Sequence, residues 1–458
     1  MDAGALKPLT RNERIAAWSL AIIVALSRWP AVSRTLWDWD EALFALALRD
    51  YDVIAHHPHP PGFPLFIAFA KVIAMLANVD AFPAIQCVVV LASLFIFPAM
   101  FFLARELPLP AFAALASALL LAFFPNVWFY GGTALSDVPS LVLALLAAAL
   151  LLRGRRSDAA LIGGAVVLGI AAGFRPQNLL IGFGPFVLAF LHRRRTAVIG
   201  AVIVVVIIVA TYGTAASLSG GWEVYRTALT KHEQYIRSID SFLSPTRPGL
   251  VQVADDFFLR PFRAPLINIV ITLLAAAGLY KMRREPLPLL IFGPFLLFAW
   301  LFLDFNSSSR FSIGYMPLFA LLSACGIPSR AREIVLSVVL ALMIVWTSPA
   351  LRVVHTTASP TVAAVEHVRA HYASRVIYVD EPLAAHAALL MPELEQHIVR
   401  VAPPLIDDPD AVLLREGAST ARGAVNFKRK RDPLSGIARK RYFEVSVIPG
   451  RRPVSPPP

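Results

Sequence analysis

Uncharged hydrophobic runs recur along almost the whole chain. An α-helix rises about 1.5 Å per residue, so about 20 apolar residues are needed to cross the hydrocarbon layer of a bilayer. Runs near this length lie at 15–27, 81–104, 107–136, 138–152, 159–174, 176–191, 196–222, 264–280, 286–303, 311–328 and 334–351. The sequence therefore predicts an all-α polytopic membrane protein with about 11 transmembrane helices, of which the first is short.

Composition excludes an ordinary water-soluble protein. Hydrophobic residues make up 57% of the chain, charged residues only 16%, and the mean hydropathy is +0.65. The net charge of +12 comes largely from Arg and Lys between the hydrophobic runs, which favours contact with lipid headgroups and argues against nucleic acid as a partner. Cys87 and Cys325 both lie in apolar runs and predict neither a disulfide nor a metal site.

The segment 62–78 is also hydrophobic, but Lys71 stands near its middle. Because a charge at the centre of a bilayer is unfavourable, we expect this helix to be only partly inserted. The basic clusters at 153–156, 193–195, 281–284 and 330–332 then lie on the same side as the N-terminus. The positive-inside rule predicts an integral plasma (inner) membrane protein with a cytoplasmic N-terminus.

The chain is expected to divide into two domains. Residues 1–352 contain the hydrophobic runs, and the stretch from 353 to 458 is mixed polar, with strand-like runs at 376–379 and 443–447 and a helical pattern at 361–373. We interpret 353–458 as a small extracytoplasmic α/β domain after the last span. Its proline-rich C-terminus is predicted to be disordered.

The first outer loop contains Asp38, Asp40 and Glu41, followed by His57 and His59. A carboxylate beside hydrocarbon loses hydration, so it is retained there mainly where it faces a polar cavity and handles an ion, a proton or a polar substrate. Two alternatives stay open. Asp38 and Asp40 suit the capping of a helix that starts near Glu41, and Asp38 or Glu41 suits the binding of a divalent cation, although no cofactor follows from the sequence.

Several short motifs occur in a fixed order on the predicted outer face. They are Asp40-Glu41, His59-Pro60-Pro61, Ser136-Asp137-Val138-Pro139, Gly173-Phe174-Arg175-Pro176-Gln177 and Arg310-Phe311 leading into Tyr315-Met316-Pro317. In this order they resemble the GT-C superfamily of membrane glycosyltransferases, particularly the branch of protein O-mannosyltransferases and aminoarabinose transferases, over residues 10–350. The resemblance implies an inverting transfer of a sugar from a polyprenyl-phosphate donor to a hydroxyl acceptor at the outer surface.

That reaction assigns roles to the outer residues. A hydroxyl acceptor needs a base, and Asp40 is the candidate, with Glu41 as the second expected catalytic residue. Arginine suits the lipid phosphate that leaves, because its guanidinium group is permanently charged and makes forked hydrogen bonds. The expected substrate-binding residues are Asp38, His57, His59, Asp137, Arg175 and Arg310. The alternatives are headgroup contact for the two arginines and helix capping for Asp137.

Two other functional classes stay open. A transporter or flippase of lipid-linked or polar substrates would also carry ionisable residues in a membrane cavity, and a non-catalytic assembly protein could retain the same fold. The long outer loop from 220 to 263 suits either a lid over the site or an amphipathic helix on the bilayer surface. The sequence leaves the sugar open, and the acceptor is a lipid, a glycan or a protein.

Overall fold

The structure is a computed structural model that describes residues 8–400, 408–429, 437 and 444–450. It is mostly helical with a small C-terminal sheet, as the sequence predicted. The helices before the sheet are α1 Arg11–Leu26, α2 Trp39–Arg49, α3 Pro64–Ala77, α4 Ala81–Leu94, α5 Ile96–Glu106, α6 Ala111–Phe123, α7 Pro125–Tyr130, α8 Asp137–Arg153, α9 Asp158–Phe174, α10 Leu179–His192, α11 Arg194–Leu218, α12 Trp222–Tyr235, α13 Leu250–Ala254, α14 Pro265–Lys281, α15 Leu287–Phe302, α16 Ser308–Phe311, α17 Met316–Gly326 and α18 Arg332–Thr356.

Two helices in the described ranges are long and apolar enough by themselves to cross a membrane. They are α11 and the helical stretch Ser329–His371, which contains α18, and their most apolar windows have mean hydropathies of 2.5 and 2.3. Some of the other predicted runs are each divided into two helices. The run at 107–136 breaks at Phe124 because Pro125 follows, and a residue before proline is driven out of the helical region to an extended conformation.

The expected partly inserted helix is α3, and it is sharply bent against its successor. Asn78 ends α3 in the left-handed conformation, and α4 starts three residues later at an angle of 112° to α3. Taken together, but not singly, α3 and α4 are long and apolar enough to cross a membrane, either as one broken span or as a re-entrant loop. Lys71 is exposed on α3.

After α18 the chain forms the α/β unit. Its helices are α19 Pro360–His371 and α20 Glu381–Leu390, and its strands are β1 Val376–Val379, β2 Ile398–Val399, β3 Ala411–Glu416, β4 Val425–Lys428 and β5 Glu444–Pro449. The strand order is β2-β1-β3-β5-β4, with β1 parallel to β2 and β3, and with β5 antiparallel to β3 and β4. The predicted disordered end, 451–458, lies outside the described residues.

The α/β unit covers the helix that carries the acidic motif. Its helix α20 packs on α2, and Arg49 Nη1 at the end of α2 donates a hydrogen bond of 2.9 Å to the carbonyl oxygen of Leu389. Trp39, at the start of α2, contacts the apolar cores of both the helical part and the α/β unit. The first residues of α2 therefore lie where these two parts of the chain meet.

Candidate active site

Two members of the acidic motif build the start of α2. Asp38 is the N-cap, and its Oδ1 accepts a hydrogen bond of 3.0 Å from the backbone N–H of Asp40. Glu41 completes a capping box by accepting from the N–H of Asp38 at 2.7 Å, and it also accepts from the N–H of Trp37. The capping alternative, which named Asp38 and Asp40, is therefore right for Asp38 and wrong for Asp40, whose side chain points to Arg310, and the second capping residue is Glu41.

Glu41 also joins this helix start to the segment before α8. Its Oε1 accepts from the N–H of Ala134 at 2.6 Å, and the side chain is fully buried. Burial raises the pKa of Glu41 to about 7, although the N–H groups of Ala134 and Trp37 act in the opposite direction. The expected second catalytic carboxylate is therefore occupied by backbone N–H groups.

A close approach of two backbones brings the starts of α2 and α8 together. The N–H of Ser33 donates to the carbonyl oxygen of Gly132 at 3.0 Å, and Gln86 Nε2 bridges the same two residues from α4. A Cβ atom on Gly132 would lie 1.8 Å from the carbonyl oxygen of Ala31, so only glycine permits this contact. The contact holds the segments that precede α2 and α8 side by side.

Asp137 is the first residue of α8, but its carboxylate does not cap that helix. Oδ1 accepts from Arg175 Nη1, and Oδ2 accepts from Arg310 Nε at 2.9 Å. The side chain is almost completely buried. The structure thus brings together three of the residues expected to bind substrate.

Arg310 lies at the centre of the cluster, in the short helix α16. It is fully buried, with Nη1 2.5 Å from Asp40 Oδ2 and 3.6 Å from Asp38 Oδ1. Burial opposes its charge, but the carboxylates of Asp137, Asp40 and Asp38 outweigh burial and raise its pKa well above the usual value. Asn126 fixes α16 by donating to the carbonyl oxygen of Ser309 at 2.9 Å.

Arg175 enters the cluster from the end of α9. It is the C-cap of that helix and has extended backbone angles, as expected before Pro176. Its guanidinium carbon lies 5.6 Å from the centroid of the Phe63 ring, and its side chain is mostly buried. Neither Arg175 nor Arg310 is therefore a surface arginine reaching for lipid headgroups, which was the alternative considered from the sequence.

The two histidines expected to bind substrate, His57 and His59, have different surroundings. His59 Nδ1 lies 3.9 Å from Asp40 Oδ1, and its ring packs on Phe63 at 4.8 Å and faces His232 of α12 at 6.1 Å. Burial lowers the pKa of His59 to about 3, so its imidazole is neutral near pH 7. His57 instead forms a backbone bridge with Asp52 further along the loop.

A cavity adjoins the two arginines. It encloses about 430 Å³ of empty space, including its opening to solvent, and it is lined by Asp137, Ser140, Leu141, Arg175, Gln177, Asn178, Phe295, Leu303, Arg310, Phe311, Ile313 and Gly314. Three buried polar atoms of the lining residues have no hydrogen-bond partner in the described structure, namely Arg175 Nε, Gln177 Oε1 and Arg310 Nη2. Buried polar groups are normally paired, so these atoms mark a place for a polar ligand.

Asp38, Asp40 and Asp137 all face the guanidinium group of Arg310, which supplies the positive charge between them. Among the described residues, no three His, Cys, Asp or Glu side chains are grouped so that they could hold a metal ion. The two N–H donors that lack a partner in the described part of the chain, Arg175 Nε and Arg310 Nη2, suit the oxygen atoms of an anion.

Sequence reasoning missed Gln177 as a site residue. The signal was present, because Gln177 ends the Gly173-Phe174-Arg175-Pro176-Gln177 motif, two positions after an expected ligand. The long outer loop also reaches the site: Tyr225 of α12 donates a hydrogen bond of 2.7 Å to the carbonyl oxygen of Pro61. Helix α12 thus packs beside the loop that carries His59.

Solved structures with a similar fold were found, although no protein-family model and no curated protein sequence matches the chain. ArnT from Cupriavidus metallidurans bound to undecaprenyl phosphate has a TM-score of 0.56 at 13% identity, covering 96% of this chain and 98% of ArnT. ArnT in the apo state has a TM-score of 0.53 at 14% identity, covering 95% and 98%. The Saccharomyces cerevisiae (S. cerevisiae) protein O-mannosyltransferase Pmt1-Pmt2 complex bound to the sugar donor has a TM-score of 0.36 at 16% identity, covering 57% and 38%.

ArnT and this chain match over nearly their full lengths, so the likeness includes both the helical part and the C-terminal unit. At 13% identity such a likeness establishes the fold. The sequence motifs predicted the same resemblance independently. The chain has the fold of the GT-C membrane glycosyltransferases.

Proposed function

We propose that this protein is an integral-membrane glycosyltransferase that moves a sugar from a polyprenyl-phosphate donor to a hydroxyl acceptor at the extracytoplasmic face. One observation carries the proposal: a carboxylate, Asp40, pairs with the buried Arg310, and Arg310 Nη2 and Arg175 Nε in the lining of a cavity have no hydrogen-bond partner in the described structure. The fold adds support, because ArnT with the same fold is bound to undecaprenyl phosphate.

The arginines are the proposed phosphate ligands. Among the described residues, Arg175 Nε and Arg310 Nη2 are donors without partners, and each guanidinium group already holds Asp137 through another nitrogen. Asp137 thus orients both forks, which leaves their remaining N–H groups for phosphate oxygens. As the glycosidic bond breaks, the phosphate gains negative charge, and the two fixed guanidinium groups stabilise that charge.

Asp40 is the proposed base. Its carboxylate takes the proton from the acceptor hydroxyl while that oxygen forms a bond to the anomeric carbon of the donor. The bond between the anomeric carbon and the phosphate oxygen breaks, and its electron pair stays on the phosphate. Asp40 is therefore protonated at the end of the step, and polyprenyl phosphate is released.

Asp40 and Arg310 form an ion pair in the site before the donor binds. Nη1 of Arg310 lies 2.5 Å from Asp40, and an incoming phosphate competes for the same guanidinium group. Donor binding therefore weakens the hold on Asp40 and makes its carboxylate available to the acceptor. The neutral imidazole of His59, 3.9 Å from Asp40, is suited to contact the sugar or the acceptor without adding charge.

Two other expected residues act indirectly in this proposal. Glu41 holds the start of α2 through three backbone N–H groups and so positions Asp40. His57 lies further along the same loop and contributes to its shape through the backbone bridge with Asp52. Asp38 is both the cap of α2 and a third carboxylate facing Arg310.

The proposed topology follows the charge pattern. The helices at the predicted runs cross the membrane about 11 times, the N-terminus is cytoplasmic, and α3 is partly inserted. The ends of α1, α9 and α18, together with the cluster around Arg310, then face the extracytoplasmic side. Residues 353–458 form the extracytoplasmic α/β domain next to the transmembrane catalytic domain 1–352, in keeping with the contact between α20 and α2.

A transfer assay tests the function. Purified protein is incubated with undecaprenyl-phosphate sugars and hydroxyl acceptors, and release of undecaprenyl phosphate is measured. We expect release with at least one sugar and a loss of about 100-fold or more in Asp40→Asn. Asp50→Asn, an exposed residue at the end of the same helix, is the matched control. Transport of intact donor across vesicles without release would replace the enzyme proposal with the flippase alternative.

A further inference from the structure

Gln177 has an unusual place in the cavity beside the arginines. It lies in a single 3-10 turn, Pro176–Asn178, that follows α9 directly. Its Oε1 is buried and has no hydrogen-bond partner in the described structure. Buried acceptors in folded proteins are normally paired, so an unpaired one at this place needs a ligand to account for it.

The turn leaves the Gln177 side chain available. Asn178, the next residue, satisfies the end of α9 by donating from Nδ2 to the carbonyl oxygen of Ala171 at 2.8 Å. The backbone N–H of Arg175 donates to the same carbonyl oxygen at 2.9 Å. The backbone of the turn is therefore held by its neighbours, and the amide of Gln177 is not needed to close the helix.

The chemistry of the unpaired atoms differs between neighbours. Arg175 Nε and Arg310 Nη2 are donors and match phosphate oxygens, whereas Gln177 Oε1 is an acceptor and requires a donor. The phosphate of a polyprenyl-phosphate sugar is a diester anion and has no hydrogen to donate. The sugar attached to that phosphate carries hydroxyl groups next to it, and these are the nearest donors that the ligand offers.

We propose that Gln177 binds a hydroxyl group of the donor sugar and so contributes to the choice of that sugar, an inference that rests on the proposed function. Selection is assigned to this hydrogen bond and not to charge, because the two guanidinium groups at the cavity face three carboxylates, those of Asp38, Asp40 and Asp137.

Binding measurements test this without requiring transfer. The full-length protein is reconstituted in nanodiscs, and its affinity is measured for bare undecaprenyl phosphate and for the same lipid carrying glucose, mannose or arabinose. The variants are Gln177→Met, which keeps the volume and removes the acceptor, and Gln177→Glu, which keeps an acceptor oxygen. We expect Gln177→Met to weaken binding of the best neutral-sugar lipid about five- to tenfold and to leave the bare lipid unchanged.

Gln177→Glu should retain the affinity gained from the sugar. A loss that is equal for bare and sugar-bearing lipids would overturn the inference. So would a sugar that adds no affinity in the wild type, or an unchanged Gln177→Met. Unchanged binding of the bare lipid also reports that the variant is folded.

A series of deoxy sugars decides the matter if Gln177→Met does not fold. On the wild type, removal of one particular hydroxyl from the best sugar should give the same fivefold to tenfold loss, about that of one neutral hydrogen bond. No such hydroxyl would refute the inference. Failure of the proposed function looks different: the wild type would then release no undecaprenyl phosphate with any sugar, whatever the effect of Gln177→Met on binding.

Discussion

Arg310 Nε donates a hydrogen bond of 2.9 Å to Asp137 Oδ2, joining residues that lie 173 positions apart in the sequence. The bond connects the short helix before α17 to the first residue of α8. Arg310 also reaches Asp40 at the start of α2, so a single guanidinium group holds three parts of the chain at one point. Both Arg310 and Asp137 are buried, which makes each dependent on the other for its charge.

Replacing Arg310 with Ala should destabilise the protein strongly. Removal of one partner of a buried ion pair leaves an uncompensated buried charge and costs about 3–5 kcal/mol. Asp137→Asn with Arg310→Gln removes both charges and should cost clearly less than the sum of the two single changes. Unfolding in detergent, followed by the change in helical signal, measures Arg310→Ala, the two single changes and the double change.

The control is an exposed pair. Arg332 and Glu333 interact at the start of α18 with both side chains largely in solvent, and Arg332→Ala should change stability by about 1 kcal/mol or less. If Arg310→Ala is no more harmful than Arg332→Ala, the cluster is not buried as described, and the argument for a pre-organised phosphate site is lost.

Arg175 should contribute mainly to donor binding. One nitrogen of its guanidinium group holds Asp137, and Nε has no partner among the described groups. Arg175→Gln removes a charge-assisted hydrogen bond to phosphate, worth about 1.5–3 kcal/mol, so the affinity for bare undecaprenyl phosphate should fall at least about tenfold. Titration of the lipid into nanodisc-reconstituted protein measures it, with the exposed Arg226→Gln of α12 as control. Equal affinities in the two variants would remove Arg175 from the phosphate site.

Much of this architecture follows from local rules. Apolar runs place most of the helices within a few residues, since a chain in lipid must satisfy its own backbone groups. The convergence of Asp40, Arg175 and Arg310 also follows from the sequence, because Arg175 and Arg310 stand at ends of hydrophobic runs, Asp40 lies in the first loop, and the charge pattern predicts all three on one face. The structure brings these three side chains into one cluster through Asp137.

Other features depend on contacts between distant segments. The direction of the Glu41 side chain is decided by the N–H of Ala134, which no local pattern relates to position 41. Asp137 binds two arginines instead of capping α8, and this likewise could be predicted only by knowing that Arg175 and Arg310 are adjacent. The break of the run at 107–136 was readable, because Pro125 marks it, but hydropathy alone ignores backbone conformation.

Glu41→Gln should destabilise the loop without removing any catalytic charge. Gln has one acceptor oxygen and one NH2 group, so the NH2 group must face backbone N–H groups that Glu41 now satisfies. The unsatisfied donors should cost about 1–3 kcal/mol. The decisive measurement is the ratio of the transfer rate to donor binding. Glu41→Gln should lose stability and transfer activity together, and a lower assay temperature should restore both. A fully stable but inactive Glu41→Gln would instead assign Glu41 to the chemistry.

His59 should make stability depend on pH below neutrality. Its folded-state pKa is lowered to about 3 by burial, against 6.5 for an ordinary histidine, so the unfolded chain binds the proton first as the pH falls. The favourable contribution of the neutral imidazole to the free energy of unfolding is complete above pH 6.5 and is lost between pH 6.5 and 3. The loss amounts to about 2 kcal/mol at pH 5. His59→Gln cannot titrate, so its melting temperature should fall less than that of the wild type between pH 7.5 and pH 5. His371→Gln, an exposed histidine at the end of α19, should behave as the wild type. Parallel pH dependence in wild type and His59→Gln would mean that His59 is solvated, and its proposed place as a neutral group beside Asp40 would have to be abandoned.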